Sequence, residues 1–273
     1  MAGPRDYQVE GLVIRDAVVG ERDRVIVLYT REEGKLTFVA KGARRPGSSL
    51  GPNVQVLTRG RFQCVRRRSL DLITQAATVD SYSRLKADLW SMSCGLYLAE
   101  LVDVSTVEGA ANRKLYDLLA GTLSTINAGG GNDMLLRFFE LRLLECLGFC
   151  PSLQRCVSCG GPLQPVVNSL SAREGGATCP LCANSCNDAA PLSVDALKVL
   201  RFCLANTMET SCRARLSADL STELEEHLYR FLSTILQQEL KSRSWLLRLR
   251  TESLLTGSRE EPTIARWPEM GQS

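Results

Sequence analysis

Histidine is almost absent from this chain of 273 residues, in which His227 is the only one. The sequence has no Gly-x-x-x-x-Gly-Lys-Ser/Thr loop to hold nucleotide phosphates, and its scattered carboxylates form no cluster suited to Mg²⁺. No run approaches the roughly 20 apolar residues of a membrane span. The first residues lack the apolar block of a signal peptide. We therefore expect a non-enzymatic protein that stays in the cytoplasm and has no membrane partner.

Acidic residues are missing from residues 34–70, although this segment contains nine Lys and Arg residues. The whole chain has a formal net charge of only +3, so its positive charge is concentrated here. Uncompensated positive charge is typical of surfaces that bind phosphate, whereas a merely solvated face is the alternative. The segment predicts nucleic-acid binding. The residues assigned to phosphate contacts are Lys35, Lys41, Arg44, Arg45, Arg66, Arg67 and Arg68.

The first eighty residues contain five short runs rich in Val, Ile, Leu, Phe and Thr. Such runs predict β-strands, and five of them favour a small closed barrel, most simply an oligonucleotide-binding (OB) fold over residues 1–80. Phe38 and Phe62 would either stack on bases or pack in the core. Residues 41–49 are rich in Gly, Ser and Arg and predict an exposed basic loop. The predicted strands are Tyr7–Ile14, Arg24–Thr30, Lys35–Ala40, Gly60–Val65 and Leu70–Val79.

Apolar residues recur at helical spacing in the rest of the chain, which makes the protein an α+β multi-domain chain. We expect the barrel to be followed by an all-α domain made of residues 81–150 and 190–250. Ser193 is suited to cap one helix, and Thr222 with Glu225 resembles a capping box before a longer one. The periodicity is lost near residue 250, which predicts a flexible tail over residues 251–273.

Cysteine is abundant, with eleven residues, and in a reducing compartment these are thiols or metal ligands rather than disulfides. Four of them form two Cys-x-x-Cys pairs separated by nineteen residues. This spacing lets both thiolates of a pair reach one ion from a tight turn. Residues 151–189 therefore predict a zinc-ribbon-like module, inserted in the helical domain and held by a structural Zn²⁺. The predicted ligands are Cys156, Cys159, Cys179 and Cys182.

Other chemistry fits these cysteines less well. A redox dithiol needs one pair only, a catalytic zinc keeps an open position, and a deaminase needs an upstream His-x-Glu that the chain lacks. Cys186 could replace a ligand, although its spacing favours a spectator role. Because Arg173 is the only cation between Gly160 and Asn187, the module is a poor candidate for a nucleic-acid reader.

Several short segments, in this order and over about residues 8–248, resemble the family of bacterial recombination mediator protein O, RecO. The stretch Gly51–Val65 departs from the family pattern and leaves the roles of Arg59 and Arg61 open. The segments are Leu12-Val13-Ile14-Arg15, Gly20-Glu21-Arg22-Asp23-Arg24-Val25, Thr30-Arg31-Glu32-Glu33-Gly34-Lys35-Leu36, Lys41-Gly42-Ala43-Arg44-Arg45-Pro46, Tyr97-Leu98-Ala99-Glu100-Leu101, Phe139-Glu140-Leu141, Leu147-Gly148-Phe149-Cys150-Pro151, Cys156-Val157-Ser158-Cys159-Gly160 and Leu240-Lys241-Ser242-Arg243.

The resemblance implies an OB barrel, a helical domain and, in many members, a zinc module. It also implies binding of single- and double-stranded DNA, annealing of complementary strands, and help for RecA on strands covered by single-strand-binding protein (SSB). The implied direct partners are RecR and the acidic C-terminal tail of SSB, with RecA as an indirect one. The implied location is the nucleoid within the cytoplasm.

A protein-interaction adaptor is the alternative function. Arg137 and Arg142 lie on a strongly apolar helix and could receive the acidic SSB tail. Ordinary solvation of the helix is the competing interpretation for each of these two arginines.

Overall fold

The computed structural model describes residues 6–255 and divides the chain into two compact units. The first unit runs to Gly130 and includes Leu240–Arg250, and the second comprises Gly131–Glu239 together with the described residues from Thr251 to Leu255. The predicted boundary near residue 80 differs from this division, because the helices that directly follow the barrel pack with it.

The barrel is closed by five strands in the order β1-β2-β3-β5-β4. Neighbouring strands are antiparallel except β3 and β5, which pair in parallel only at Phe38–Asp71 and Val39–Leu72. The predicted strand ends lie within one residue of the observed ones, except that β1 continues to Val19. The strands are β1 Asp6–Val19, β2 Asp23–Thr30, β3 Gly34–Ala40, β4 Arg59–Val65 and β5 Asp71–Asp80.

The barrel core contains both phenylalanines that were considered for base stacking. Phe38 and Phe62 are 1% and 0% exposed, so their rings pack inside and do not reach solvent. Burial of each ring contributes roughly 1.5–3 kcal/mol. Ala43 and Leu50, from the segment after β3, and Val54, from the short 3-10 turn Gly51–Val54, join the same core. The connection between β3 and β4 is thus anchored on the barrel.

β1 bends in its middle. Its register with β2 shifts between Val13 and Arg15, so that Ile14 is an extra residue, as in a β-bulge. Residues 11–14, at the shift, are buried, whereas Ala17, Val18 and Val19 are all exposed. We call the end of the hairpin of β1 and β2, residues 17–24, the β1–β2 arm; Val18 and Val19 pair there with Arg24 and Asp23, and Arg24 pairs in turn with Ala40 of β3.

The free edge of β3 is covered by the loop of residues 106–112. Lys35 forms an isolated parallel bridge with Glu108, and its carbonyl oxygen accepts from the backbone N–H of Gly109 at 2.9 Å. Gly34 has φ +71°, and a Cβ there would lie 2.0 Å from the carbonyl oxygen of Ala110. Only glycine allows this close approach.

Eight helices are defined in the described residues, and most begin with a side-chain cap. Asn112 and Ser193 accept from the backbone N–H three residues later. The predicted capping box at Thr222 is wrong: the helix begins at Ala218 with Ser217 as its cap. The helices are α1 Ser83–Ala87, α2 Leu89–Ser105, α3 Arg113–Thr125, α4 Asp133–Cys146, α5 Val194–Ala205, α6 Met208–Ser211, α7 Ala218–Leu236 and α8 Lys241–Leu255.

Helix α8 is tied to α2 within the first unit. The Glu100 carboxylate accepts from the backbone N–H groups of Lys241 at 3.1 Å and Ser242 at 2.9 Å. Trp245 Nε1 donates to Ser93 Oγ at 3.0 Å. Helix α8 continues to Leu255, past residue 251 where the flexible tail is predicted to begin, and the remainder of that segment lies outside the described residues.

The second unit has α4 at its centre, packed against α5, α6 and α7. Between α4 and α5 lies a three-stranded antiparallel sheet in the order β7-β6-β8, formed by β6 Asn168–Ser171, β7 Gly176–Thr178 and β8 Ala190–Leu192. The expected order of a β domain followed by helices is confirmed. Within residues 6–255, no helix combines the length and apolarity that crossing a membrane requires.

Candidate nucleic-acid interface and metal centre

The loop after β3 holds three predicted phosphate contacts, Lys41, Arg44 and Arg45, and all three are exposed. The N–H of Gly42 donates to Asp23 Oδ1 at 2.8 Å, and that of Arg44 to the carbonyl oxygen of Arg22 at 3.0 Å. These bonds fix the loop to the start of β2. Its cations are therefore presented on an ordered backbone.

The turn between β4 and β5 presents Arg66, Arg67 and Arg68, which are also exposed. Asp71 orders this turn by accepting from the backbone N–H of Arg67 at 2.8 Å and from the hydroxyl of Tyr7 at 2.5 Å. Burial, and then this hydrogen bond, raise the pKa of Tyr7. The Arg66 guanidinium lies 5.2 Å from the centre of the Tyr7 ring, within cation–π range.

The remaining cations of residues 34–70 are neutralised by carboxylates. Lys35 Nζ lies 3.3 Å from Asp103 Oδ1, and its side chain is only 17% exposed. Lys35 therefore does not offer the phosphate contact predicted for it, because its charge is paired between the barrel and α2. Arg59 and Arg61 both pair with Glu10, at 3.4 and 3.0 Å, which settles the positions of these two side chains.

Six of the seven assigned cations remain, and none of the six has a carboxylate within ion-pair distance among the residues that the structure describes. They form two clusters, on the β3 loop and on the β4–β5 turn. Both clusters adjoin the short pairing of Phe38–Val39 with Asp71–Leu72. Counted along the strands and across this pairing, Lys41 and Arg68 lie within about 25 Å of each other. A single strand of a few nucleotides could contact both.

Sequence analysis missed two residues of this surface. Arg22 is exposed and joins the β3 loop through its carbonyl oxygen, but it lies between Glu21 and Asp23, where a count of local charge passes over it. Tyr7 is half-buried beside Arg66. One sequence signal could have identified Arg22. The turn between β1 and β2 is followed by a strand predicted to pair with β3, so a residue in that turn lies near the basic loop after β3.

The two arginines predicted to bind a partner are engaged within the second unit. Arg137 is 3% exposed and lies 3.0 Å from Glu140 and 3.4 Å from Glu225, so it offers no cation to a surface peptide. Arg142 pairs with Glu145 at 2.6 Å and donates to a backbone carbonyl oxygen at 2.8 Å. The prediction fails for Arg137 because α4 is buried around most of its circumference.

The four cysteines of the two Cys-x-x-Cys pairs come together in the second unit. Their Sγ atoms all lie within 4.8 Å of one another, and Cys159 Sγ is 3.9 Å from Cys179 Sγ. Four sulfurs bound tetrahedrally at about 2.3 Å to one zinc ion would lie about 3.8 Å apart. The donor set and spacing therefore fit a metal ion with four thiolate ligands. The group consists of Cys156, Cys159, Cys179 and Cys182, and Cys186 is not part of it.

Burial and hydrogen bonds shift the pKa values of Cys156 and Cys182 in opposite directions. Burial acts to raise the pKa of Cys156, but backbone hydrogen bonds from Cys159, Cys179 and Ser158 lower it to about 6. Hydrogen bonds with neighbouring thiols, first that of Cys179, raise the pKa of Cys182 to about 12. Four adjacent thiolates repel one another unless a cation neutralises them.

The turns around these ligands are attached to the small sheet. The N–H of Val157 donates to the carbonyl oxygen of Ala177 at 3.0 Å, and that of Cys182 to the carbonyl oxygen of Cys179 at 3.0 Å. A Cβ on Gly176 would lie 2.5 Å from the carbonyl oxygen of Ser152. The first cysteine turn is thus held against β7 by its backbone.

His227 is buried in the second unit. Its Nε2 lies 2.9 Å from the carbonyl oxygen of Pro191, so the neutral ring donates through Nε2. Burial lowers its pKa. Glu223 Oε1 lies 3.9 Å away, but that carboxylate also accepts from the backbone N–H of Ser193 at 2.6 Å. The contacts are those of a packed residue.

A closed barrel with unpaired exposed cations, followed by helices and a four-cysteine group, defines a modular α+β protein with a candidate surface for polyanions. Family models match both parts of this chain: residues 1–82 match "Recombination protein O N terminal" and residues 86–244 match "Recombination protein O C terminal".

Curated relatives agree with these matches. The chain is 36% identical to the DNA repair protein RecO of Roseiflexus sp. (strain RS-1), over 89% of this chain and 85% of that protein. It is also 36% identical to that of Symbiobacterium thermophilum, over 90% and 98%, and 31% identical to that of Dehalococcoides mccartyi strain BAV1, over 93% and 100%. The chain belongs to the RecO family of DNA repair proteins.

Proposed function

We propose that the chain is a non-catalytic mediator of DNA repair that binds single- and double-stranded DNA through its barrel. In this function it anneals complementary strands and assists the loading of RecA on strands covered by SSB. The observation that supports the proposal most strongly is the set of six exposed cations that have no carboxylate partner within residues 6–255. Family membership supports the repair context.

The barrel is proposed to be an OB fold. OB barrels have five strands and bind oligonucleotides through the loops between strands 1 and 2 and between strands 4 and 5. In this chain the corresponding connections carry Arg22 and the run Arg66–Arg68. The arrangement of the cations and the known use of these loops therefore agree.

Annealing follows from charge neutralisation. Two complementary strands repel each other through their phosphates, and cations that contact both backbones reduce this repulsion. Contacts to phosphate carry no sequence information, so binding should tolerate any sequence. The proposed activity breaks no covalent bond and requires no catalytic residue.

The four cysteines are proposed to hold a structural Zn²⁺ in a ribbon-like module. The ion would supply a tetrahedral cross-link between two turns, and the chain's own contribution is the pair of rigid turns that bring the thiolates together. Cations are sparse around these cysteines, which supports a structural part rather than contact with DNA.

RecR, the acidic SSB tail and, indirectly, RecA are proposed partners on the basis of family membership, and the nucleoid is the matching location. The adaptor alternative receives less support. Of the two arginines assigned to it, Arg137 is buried and Arg142 is bound to Glu145.

The test compares two double variants with the same change in net charge. R44Q/R45Q removes two unpaired cations, whereas R31Q/R61Q removes two exposed cations that are paired with Asp117 and Glu10. At about 0.7 log units per contact with single-stranded DNA, R44Q/R45Q should lower the slope of log affinity against log salt by about 1.4. R31Q/R61Q should leave the slope close to that of the wild type. Equal slopes in all three proteins would contradict the proposed interface.

A further inference from the structure

The tip of the β1–β2 arm presents apolar side chains to solvent. Val18 and Val19 are 55% and 49% exposed, and Ala17 beside them is also exposed. Successive strand residues point to opposite faces, so both faces of the arm are uncovered here. Apolar side chains stabilise a fold only when they are buried, so three consecutive exposed ones do not add to its stability. Such a run indicates a surface that binds something.

The charges at the root of the arm are paired, unlike those near its tip. Arg15 lies 2.9 Å from Asp103, and Arg24 pairs with Asp16. Near the tip, Arg22 is exposed and forms no ion pair within the part of the chain that the structure describes. The exposed cation Arg22 and the exposed valines Val18 and Val19 therefore lie at the same end of the hairpin.

The arm and the β3 loop form one hydrogen-bonded body. Val19 pairs with Asp23, whose carboxylate accepts from the N–H of Gly42 at 2.8 Å. The Arg44 guanidinium donates to the carbonyl oxygen of Glu21 at 3.1 Å. The exposed carboxylate of Glu21 is the one acidic side chain at the turn itself. The exposed cations on this hydrogen-bonded body are Arg22, Lys41, Arg44 and Arg45.

We propose that Val18 and Val19 form an apolar wedge that packs against bases at a junction between single- and double-stranded DNA. The inference rests on the DNA binding proposed above and names the DNA structure that this surface takes. The surrounding cations contact the phosphates, and the valines contact the face of the last base pair.

A junction suits this surface better than continuous duplex does. Apolar side chains enter a stacked duplex only by unstacking a base step, which is unfavourable. At a junction one base face is already exposed, so the valines gain an apolar contact without this cost. The wedge would therefore favour the DNA present while two strands are being annealed.

The test uses the full chain and a forked DNA that carries 2-aminopurine as the first unpaired base, which stacks on the last base pair and is quenched there until the valines take its place. The wild type should raise the fluorescence of this base on binding. The V18T/V19T variant keeps β-branched side chains and so preserves the strand. It should lose most of the fluorescence rise and its several-fold preference for forks, without a change in salt slope.

Two further variants separate the wedge from other effects. V79T, on a strand valine that is 41% exposed, should behave as the wild type. V18L/V19L should retain the fluorescence rise because it restores apolar surface. An equal rise in the wild type and V18T/V19T would overturn the wedge.

The remaining outcomes also decide the matter. If the wild type showed no salt-dependent binding to any DNA, both the wedge and the proposed function would fail. If only the function held, DNA would bind with a normal salt slope but without a fluorescence change. Loss of binding to vesicles of phosphatidylcholine and phosphatidylglycerol in V18T/V19T, with unchanged DNA signals, would assign the arm to an anionic lipid surface and refute the wedge.

Discussion

The barrel buries twelve residues in one apolar core, including Phe38 and Phe62, whereas the cysteine-rich segment 151–189 has few such residues. The buried apolar side chains of that segment, besides the ligand Cys156, are Pro151, Leu153, Leu163, Leu170 and Ala177. Strand pairing and a core fix the barrel, so the cations on its loops need no structural partner. In residues 151–189, where the apolar core is small, we expect a metal ion bound by the four thiols to supply most of the stability. The two regions thus differ in what their polar side chains do: the barrel's loop cations are available for binding, whereas the thiols of residues 151–189 are needed for stability.

Metal removal should have the largest effect, and it should be confined to the cysteine segment. Structural zinc sites contribute apparent binding free energies of about 10–16 kcal/mol. C156S should lose zinc and become sensitive to proteases within residues 151–189, because little apolar core remains there. Zinc content and limited proteolysis measure this, with C186S as the control that keeps both zinc and protection. Zinc retained at wild-type stoichiometry by C156S would contradict the assignment of the ligands.

A core truncation in the barrel should have the next largest effect. F62A leaves a cavity in a fully buried site and should lower the free energy of unfolding by about 3–5 kcal/mol. F149A, on a ring that is 53% exposed, should change it much less. Urea denaturation of both variants tests the contrast. If F149A were as destabilised as F62A, burial would not explain the stability of the barrel.

Lys35 sharpens the distinction between structural and binding cations. K35A leaves the half-buried carboxylate of Asp103 with one partner fewer, and stability should fall by about 1–3 kcal/mol. The slope of DNA affinity against salt should stay unchanged, in contrast to that of R44Q/R45Q. The two measurements, urea denaturation and a salt titration, are made on the same protein. If K35A lowered the slope of log DNA affinity against log salt, Lys35 would contact DNA as first predicted.

The smallest effect concerns pH and the second unit. The folded pKa of His227 lies below the ordinary value of 6.5, so the unfolded chain takes up the proton first as pH falls. Protonation of His227 in the unfolded chain therefore lowers the free energy of unfolding as pH falls below 6.5, and it has no effect on that free energy well above pH 6.5. H227Q keeps a donor for the carbonyl oxygen of Pro191 but removes the titration. Urea denaturation from neutral to mildly acidic pH should show a flatter profile in H227Q, and parallel profiles would refute this origin.

The local features of the barrel were predictable, because strand periodicity and turn residues are local signals. The number of strands also favoured a closed barrel, but the parallel pairing of Phe38 with Asp71 that closes it joins residues far apart in sequence and was not predictable. The same limit applies to Lys35: its partner Asp103 is 68 residues away, and a count of local charge shows only an unpaired cation. The register shift between Val13 and Arg15 is likewise not visible in the sequence.

The burial of Arg137 could have been predicted from the sequence of α4. α4 is apolar around nearly its whole circumference, which is typical of a buried helix rather than a surface one. Arg137 on such a helix needs buried carboxylates, and Glu140 and Glu225 supply them. The cysteine group was predictable because the spacing within each pair is local and its chemistry is restrictive.

Gly34 has a consequence for solubility. Any side chain at this position would push Ala110 and its loop away from β3. The carbonyl oxygen of Lys35 and the N–H of Thr37, now paired with Gly109 and Glu108, would then face solvent. An uncovered strand edge is a template for intermolecular β-pairing and aggregation. One missing Cβ therefore keeps neighbouring molecules from adding strands to the barrel.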